Sequence, residues 1–224
     1  MTVQTDDLRL AALGDVHGNL AALDAVLADV RVAGIHSGVC TGDLVLRGRE
    51  PEGCVSRMAL LEWPCVRGNT DHKVATRPPR SRSHPAAARM GSRSWTVRRL
   101  SDASLAYLAG LPLTIRLRLG PFRVLVMHGA PEDPTDVLVD EATPHERLVE
   151  LASHLDADCV VTGHTHRPFV REAAGCVFVN PGSVGESRDA DRHPSWAILH
   201  AGPSAVHATL MRTTAPLLVE RLAT

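Results

Sequence analysis

The 224-residue sequence has no Cys-x-x-Cys pair, no apolar run near the roughly 18 residues a bilayer-spanning helix needs, and no surplus of basic charge. Each absence removes a class of function. Five cysteines, Cys40, Cys54, Cys65, Cys159 and Cys176, are odd in number and lie mostly in apolar runs. That pattern fits small buried thiols in a reducing compartment better than a disulfide framework. The lack of a long apolar run argues against a membrane partner. The first ten residues, MTVQTDDLRL, are acidic and polar, unlike a signal peptide, so the expected location is cytoplasmic. A formal net charge of -1 argues against a dedicated nucleic-acid binder, because neutralising phosphates takes a basic excess. Lysine occurs once, at Lys73, and every other basic residue is arginine, which we read as a compositional habit of the source genome.

What is present is ordinary for a globular chain, at 44% hydrophobic and 22% charged residues. We expect one α/β domain over 1–224, with its oligomeric state, homo-oligomer included, left open. Leu8 to Leu13 reads as a buried strand. From Leu20 to Ala33, the residues Leu20, Leu23, Val26, Leu27 and Val30 recur at helical spacing behind Asn19, a good N-cap. Val39 to Thr41 and Cys65 to Arg67 read as short strands around a helix from Pro51 to Glu62. This alternation predicts a parallel sheet with covering helices. After a helix ending near Ala109, Leu113–Leu119 and Phe122–Met127 form an expected hairpin across Gly120-Pro121. A helix from about Pro144 to His154 follows. Strands are then expected at 158–161, 168–172, 176–180, 195–201 and 205–211.

Between Lys73 and Arg99 no acidic residue occurs, and Pro, Ser, Ala and Arg dominate. This insertion carries Arg77, Arg80, Arg82, Arg89, Arg93, Arg98 and Arg99. It is open to three readings: a solvated insertion, a lid steering anionic substrate, or a nucleic-acid contact.

Chemistry-bearing side chains recur at the ends of the apolar runs. Asp15-Val16-His17, Gly42-Asp43, Gly68-Asn69-Thr70-Asp71, Met127-His128-Gly129 and Gly163-His164-Thr165-His166 supply seven candidate metal ligands on five such junctions. Strand ends of an open α/β sheet converge, so these residues can meet at one site. Divalent Mn, Fe and Zn accept mixed imidazole and carboxylate ligands, and a close pair of ions suits phosphoryl chemistry. Asp43, turned by Gly42 just after a strand, is a natural bridge between two ions. Asp15 and His17 can bite one ion from the same side, while His164 and His166 could each serve a different one. Taken singly, Asp15 and Asp43 also read as capping or turn carboxylates, and Asn69 and Asp71 as turn residues.

In order and spacing, these motifs resemble those of the calcineurin-like metallophosphoesterases, over residues 10 to about 185. Asn180-Pro181-Gly182-Ser183-Val184-Gly185 resembles the turn after the last metal motif in small bacterial, phosphodiesterase-like members. The resemblance implies a four-layer α/β/β/α sandwich of two mixed sheets flanked by helices. It further implies that Asp15, His17 and His166 hold one ion and Asn69, His128 and His164 a second, with Asp43 bridging. A hydroxide between the ions would attack phosphorus in line. Manganese is the metal expected first, with Fe, Zn, Ni or Co as alternatives. Asp43, Asn69, His128 and Arg47 form the implied catalytic set.

Two departures bear on substrate. Phosphomonoesterase members carry His after the Asn of the third motif, as general acid for the leaving group. Here that position is Thr70, which leans the expectation towards phosphodiesters; His72 lies two residues on. Arg47-Gly48 resembles the Arg-Gly after the second motif of protein phosphatases, and a guanidinium suits phosphate. It keeps open a phosphomonoesterase acting on phosphoprotein or a nucleotide such as a dinucleoside polyphosphate, or simply an exposed surface arginine. A catalytically silent scaffold of the same fold is the non-enzyme alternative.

Overall fold

A computed structural model of the chain describes residues 2–5, 8–76 and 89–214. Its strands are β1 (Thr2–Thr5), β2 (Arg9–Leu13), β3 (Gly38–Cys40), β4 (Thr114–Leu119), β5 (Phe122–Met127), β6 (Cys159–Val161), β7 (Phe169–Ala173), β8 (Cys176–Asn180), β9 (Ser195–Ala201) and β10 (Val206–Arg212). The helices are α1 (Leu20–Val32), α2 (Pro51–Leu61), α3 (Asn69–Ala75), α4 (Arg93–Val97), α5 (Asp102–Gly110) and α6 (His145–Leu155). Two mixed sheets result, one in the order β1-β4-β5-β6-β8-β7 and the other β10-β9-β2-β3. They stack face to face with helices outside, the sandwich that the motif resemblance implies.

The period-2 alternation of side chains explains why the layers hold. In β2, Leu10 and Ala12 face the other sheet, while Ala11 and Leu13 face the helices α1 and α2. Likewise in β5, Val124 and Val126 enter the space between the sheets, and Leu125 and Met127 pack towards Leu148 and Leu151 of α6. Buried on both faces, these strands read as continuous apolar runs. Helix α1 begins where Asn19 accepts a hydrogen bond from the Ala22 N–H at 3.2 Å, and it buries Leu23, Val26, Leu27 and Val30. The β4–β5 hairpin forms as expected.

The structure revises two local expectations. Cys65–Arg67 is no strand: it makes a single parallel bridge, Cys65 to Cys40, before the chain turns into α3. Arg67 is spent elsewhere, its guanidinium donating to the carbonyls of Ala109 and Leu111. The arginine-rich insertion also has narrower bounds than 73–99. Lys73 belongs to α3, and α4 together with Leu100 packs into the helix-side core through Val97. Arg77, Arg80 and Arg82 lie outside the described residues. No helix among the described residues is long and apolar enough to cross a membrane.

Leu199, fully buried between the sheets, and Leu60, 81% exposed, test this layering. Leu199→Ala should cost about 2–5 kcal/mol in denaturant unfolding and Leu60→Ala less than about 0.5 kcal/mol. Similar costs for the two would contradict the layering.

Candidate metal centre

The parallel strands β2, β3, β5 and β6 end side by side, and the chain leaving each one delivers ligand-type side chains. The delivery depends on a backbone feature invisible in the motif pattern. Asp15 (φ +52°), His17 (+51°), Asp43 (+56°), His164 (+71°) and His166 (+61°) all adopt the left-handed conformation. In Asp15-Val16-His17 and His164-Thr165-His166, two such residues flank an ordinary one, so the chain bends twice within three residues. Asp and His tolerate this region better than most residues, yet each instance costs on the order of 1–2 kcal/mol.

Neighbouring loops hold the bends in place. Asp15 N–H donates to the Gly42 carbonyl at 2.9 Å and His17 N–H to that of Asp43 at 2.9 Å. Gly163 N–H reaches the His128 carbonyl at 2.8 Å, and His164 N–H reaches Asp15 Oδ2 at 3.1 Å. The Asn180-to-Gly185 turn closes the far side. Its Asn180 side chain donates to the Gly163 carbonyl at 2.8 Å, and Ser183 Oγ donates to that of Asp15 at 2.7 Å.

The seven side chains fall into two groups that meet at Asp43. In the first, the ligand atoms of Asp15, His17, Asp43 and His166 lie within 4.8 Å of one another, all buried. His17 Nε2 and His166 Nε2 face each other at 3.0 Å, and His166 Nε2 is 3.3 Å from Asp15 Oδ1. In the second group, Asn69 Oδ1 is 3.0 Å from His128 Nε2 and 3.1 Å from His164 Nδ1, which are 3.2 Å apart. One Asp43 oxygen, Oδ2, lies 3.6 Å from His17 Nε2, and the other, Oδ1, lies 3.6 Å from His128 Nε2.

This donor set fits divalent cations. His128 Nδ1 pairs with the Thr41 carbonyl at 2.8 Å and His166 Nδ1 with that of Glu186 at 2.7 Å. A carbonyl only accepts, so both imidazoles carry a proton on Nδ1 and aim Nε2 into the centre. That is the usual way a protein orients metal-binding histidines. Asp15 Oδ1 is buried with no hydrogen-bond donor. Asn69 Oδ1 converges with two imidazole nitrogens, an arrangement a cation satisfies. If the amide turned over, its nitrogen would donate to His128, Asp43 and His164 and its oxygen would accept from Lys73 Nζ at 3.3 Å.

Electrostatics follow from burying so many titratable groups together. Burial works to raise the Asp15 carboxyl, but the facing imidazoles, His166 foremost, outweigh it and hold the group far below the ordinary carboxylate range. Burial pushes the His17 imidazole down to about 4 despite Asp43, and it lowers His164 with help from His128. Burial also opposes protonation of His128 and His166, yet Asp43 and Asp15, respectively, lead the interactions that raise both.

Asp71 belongs to this site although it faces no ligand. A residue of the first turn of α3 and fully buried, it is no loop residue. Its carboxylate accepts the N–H groups of Asp43 (2.8 Å), Leu44 (2.9 Å), Gly68 (3.1 Å) and Val45 (3.3 Å). Burial, with Asp43 beside it, lifts its pKa to about 7. Gly68 lets the two loops touch, since a Cβ there would overlap the Asp43 carboxylate. Thr70 N–H donates to Asp43 Oδ1 at 2.8 Å, and its hydroxyl donates to the Val45 carbonyl at 3.0 Å, so Thr70 is a brace. Arg47, itself left-handed at +70°, is half-exposed and ion-paired with Glu186, whose carboxylate lies 3.5 Å from His166 Nδ1.

The profile of the calcineurin-like phosphoesterase superfamily domain matches residues 8–202. The chain belongs to that superfamily. It is 28% identical over 183 residues to a probable metallophosphoesterase of Methanothermobacter thermautotrophicus, covering 82% of this chain and 77% of that protein. Among solved structures, the metallophosphoesterase of Sphaerobacter thermophilus is 28% identical with a TM-score of 0.74, over 93% of this chain and 89% of that one. A hypothetical protein of Pyrococcus horikoshii shares the fold at a TM-score of 0.78 and 18% identity, over 95% of this chain and 89% of that one. Family and donor set together point to a metal-dependent phosphoesterase.

The role of Asp71 generates a prediction. Asp71→Asn, which keeps the size but replaces an acceptor oxygen with a donor, should weaken metal binding roughly 10–100-fold in a calorimetric titration. Unchanged affinity would mean that Asp71 does not set the position of Asp43.

Proposed function

We propose that the protein is a two-metal phosphoesterase acting on phosphodiesters. The observation that carries this reading is the position of Asp43, whose carboxylate stands between the two groups, with Oδ2 3.6 Å from His17 Nε2 and 3.1 Å from the inward-facing atom of the Asn69 amide, and Oδ1 3.6 Å from His128 Nε2. A carboxylate so placed is within reach of both ligand groups, as a bridge between two ions must be. On this reading Asp15, His17 and His166 bind one ion, and Asn69, His128 and His164 the other, with Mn²⁺ as the expected metal. Two such ions supply a nucleophile at neutral pH and neutralise charge on the phosphoryl group.

The protein's own contribution is placement. Asp71 pins the backbone N–H of Asp43, Thr70 N–H holds its carboxylate, and the carbonyls of Thr41 and Glu186 fix the tautomers of His128 and His166. Arg47 stands at the His166 side of the centre. A guanidinium has five N–H donors, so its pairing with Glu186 leaves others for a phosphate oxygen. No imidazole follows Asn69, and the Thr70 hydroxyl in its place is committed to the Val45 carbonyl. Nothing at that position can protonate a poor leaving group, which favours diesters and activated esters over alkyl monoesters.

Two measurements test the proposal. With Mn²⁺ present, bis(p-nitrophenyl) phosphate should be cleaved with a kcat/KM at least equal to that for p-nitrophenyl phosphate; a strong monoester preference would show that another group supplies the acid. Asp43→Asn should abolish both activities and lower bound Mn²⁺ by at least one equivalent. Near-normal rates in that variant would sink the bridging assignment.

A further inference from the structure

The chain's one lysine sits at the edge of this centre. Lys73 follows Asn69 by one helical turn on α3, so the two side chains share a face. Lys73 Nζ lies 3.3 Å from the outward-facing atom of the Asn69 amide. When Asn69 turns its oxygen to a cation, that outward atom is Nδ2. Two donors, an amide NH₂ and an ammonium, then face one another at 3.3 Å with no acceptor between them. Among the described residues no carboxylate pairs with Lys73. The backbone beneath is pinned, because Arg93 Nε donates to the Lys73 carbonyl at 2.6 Å.

We propose that Lys73 is a substrate-contacting residue that holds one phosphoryl oxygen of the bound ester jointly with Asn69 Nδ2. An oxygen set about 2.9 Å from both nitrogens satisfies both donors at ordinary hydrogen-bond lengths. The inference rests on the phosphoesterase reading and deepens it, by naming the group that meets the substrate next to Thr70. Chemistry also explains the choice of residue in a chain that otherwise uses arginine. An ammonium is a compact point charge with rotatable donors that can share one oxygen with a neighbouring amide, whereas a guanidinium presents its donors in a fixed planar fork. Lys73 contributes charge and hydrogen bonds to the phosphoryl group, a different service from protonating the leaving oxygen. It therefore fits the preference for esters that leave as stable anions.

Having only one lysine makes the test clean. Reductive methylation with ¹³C-formaldehyde labels Lys73 and the terminal amine alone. In Zn²⁺-loaded protein, adding inorganic phosphate should shift the Lys73 methyl signal. Lys73→Met should weaken phosphate binding roughly 10–100-fold at unchanged metal content, and Lys73→Arg should recover only part of it. An unmoved signal with wild-type phosphate affinity in Lys73→Met would overturn the inference, as would loss of metal in that variant, since Lys73 would then act through Asn69. The two readings fail separately. Phosphate binding through Lys73 without diester cleavage would remove the diesterase and keep the contact, whereas wild-type cleavage and phosphate binding by Lys73→Met would do the reverse.

Discussion

Three carboxylates, Asp15, Asp43 and Asp71, are withdrawn from water at one end of the sandwich, and the rest of the site follows from that burial. An isolated buried carboxylate is too costly to keep, so each must find compensation. Asp71 finds it in four backbone N–H groups, which is why its neighbours are loops folded tightly around it. Asp15 and Asp43 face imidazoles whose own burial resists taking up protons, most plainly at His17. Divalent cations offer such groups a fuller compensation, and the convergence of Asp15, His17, Asp43 and His166 within 4.8 Å suits one.

The same geometry demands a strained backbone. Five of the seven ligand-type residues are left-handed, which at about 1–2 kcal/mol each is comparable with the whole stability of a small domain. Such conformations persist only where surroundings over-determine them. Here the surroundings are the paired loops after β2 and β3, the link from Gly163 to His128, and the Asn180-to-Gly185 turn laid across the top. The sandwich supplies rigid strand ends, and the ends carry the strain.

Much of this was legible in the sequence. Strands such as β2, β5 and β8 announce themselves as apolar runs, α1 shows its period and its Asn19 cap, and the ordered ligand motifs imply the sandwich. What escaped has identifiable causes. Helix α3 is seven residues long, too short for a 3.6-residue period to emerge, so Asn69 and Asp71 look like turn residues. Cys65–Arg67 has strand-like composition, but only Cys65 forms a β-bridge, to Cys40. The work of Asp71 depends on backbone amides from a loop 26–28 positions away, and no local pattern encodes that distance. Lys73 was hidden by its context, since a single lysine reads as a compositional accident until its neighbour is known.

The origin of the ligands has one more consequence. Asp15, His17 and Asp43 come from the ends of β2 and β3, while His128, His164 and His166 come from the ends of β5 and β6 in the other sheet. A cation held between them would fasten sheet to sheet at a point where the chain offers strain rather than packing. Anything that binds the folded form alone draws the equilibrium towards it. The lifetime of this chain in a cell would then track metal supply: under starvation the seam between the sheets would be less securely tied, and proteolysis as well as lost turnover would lower the activity that remains.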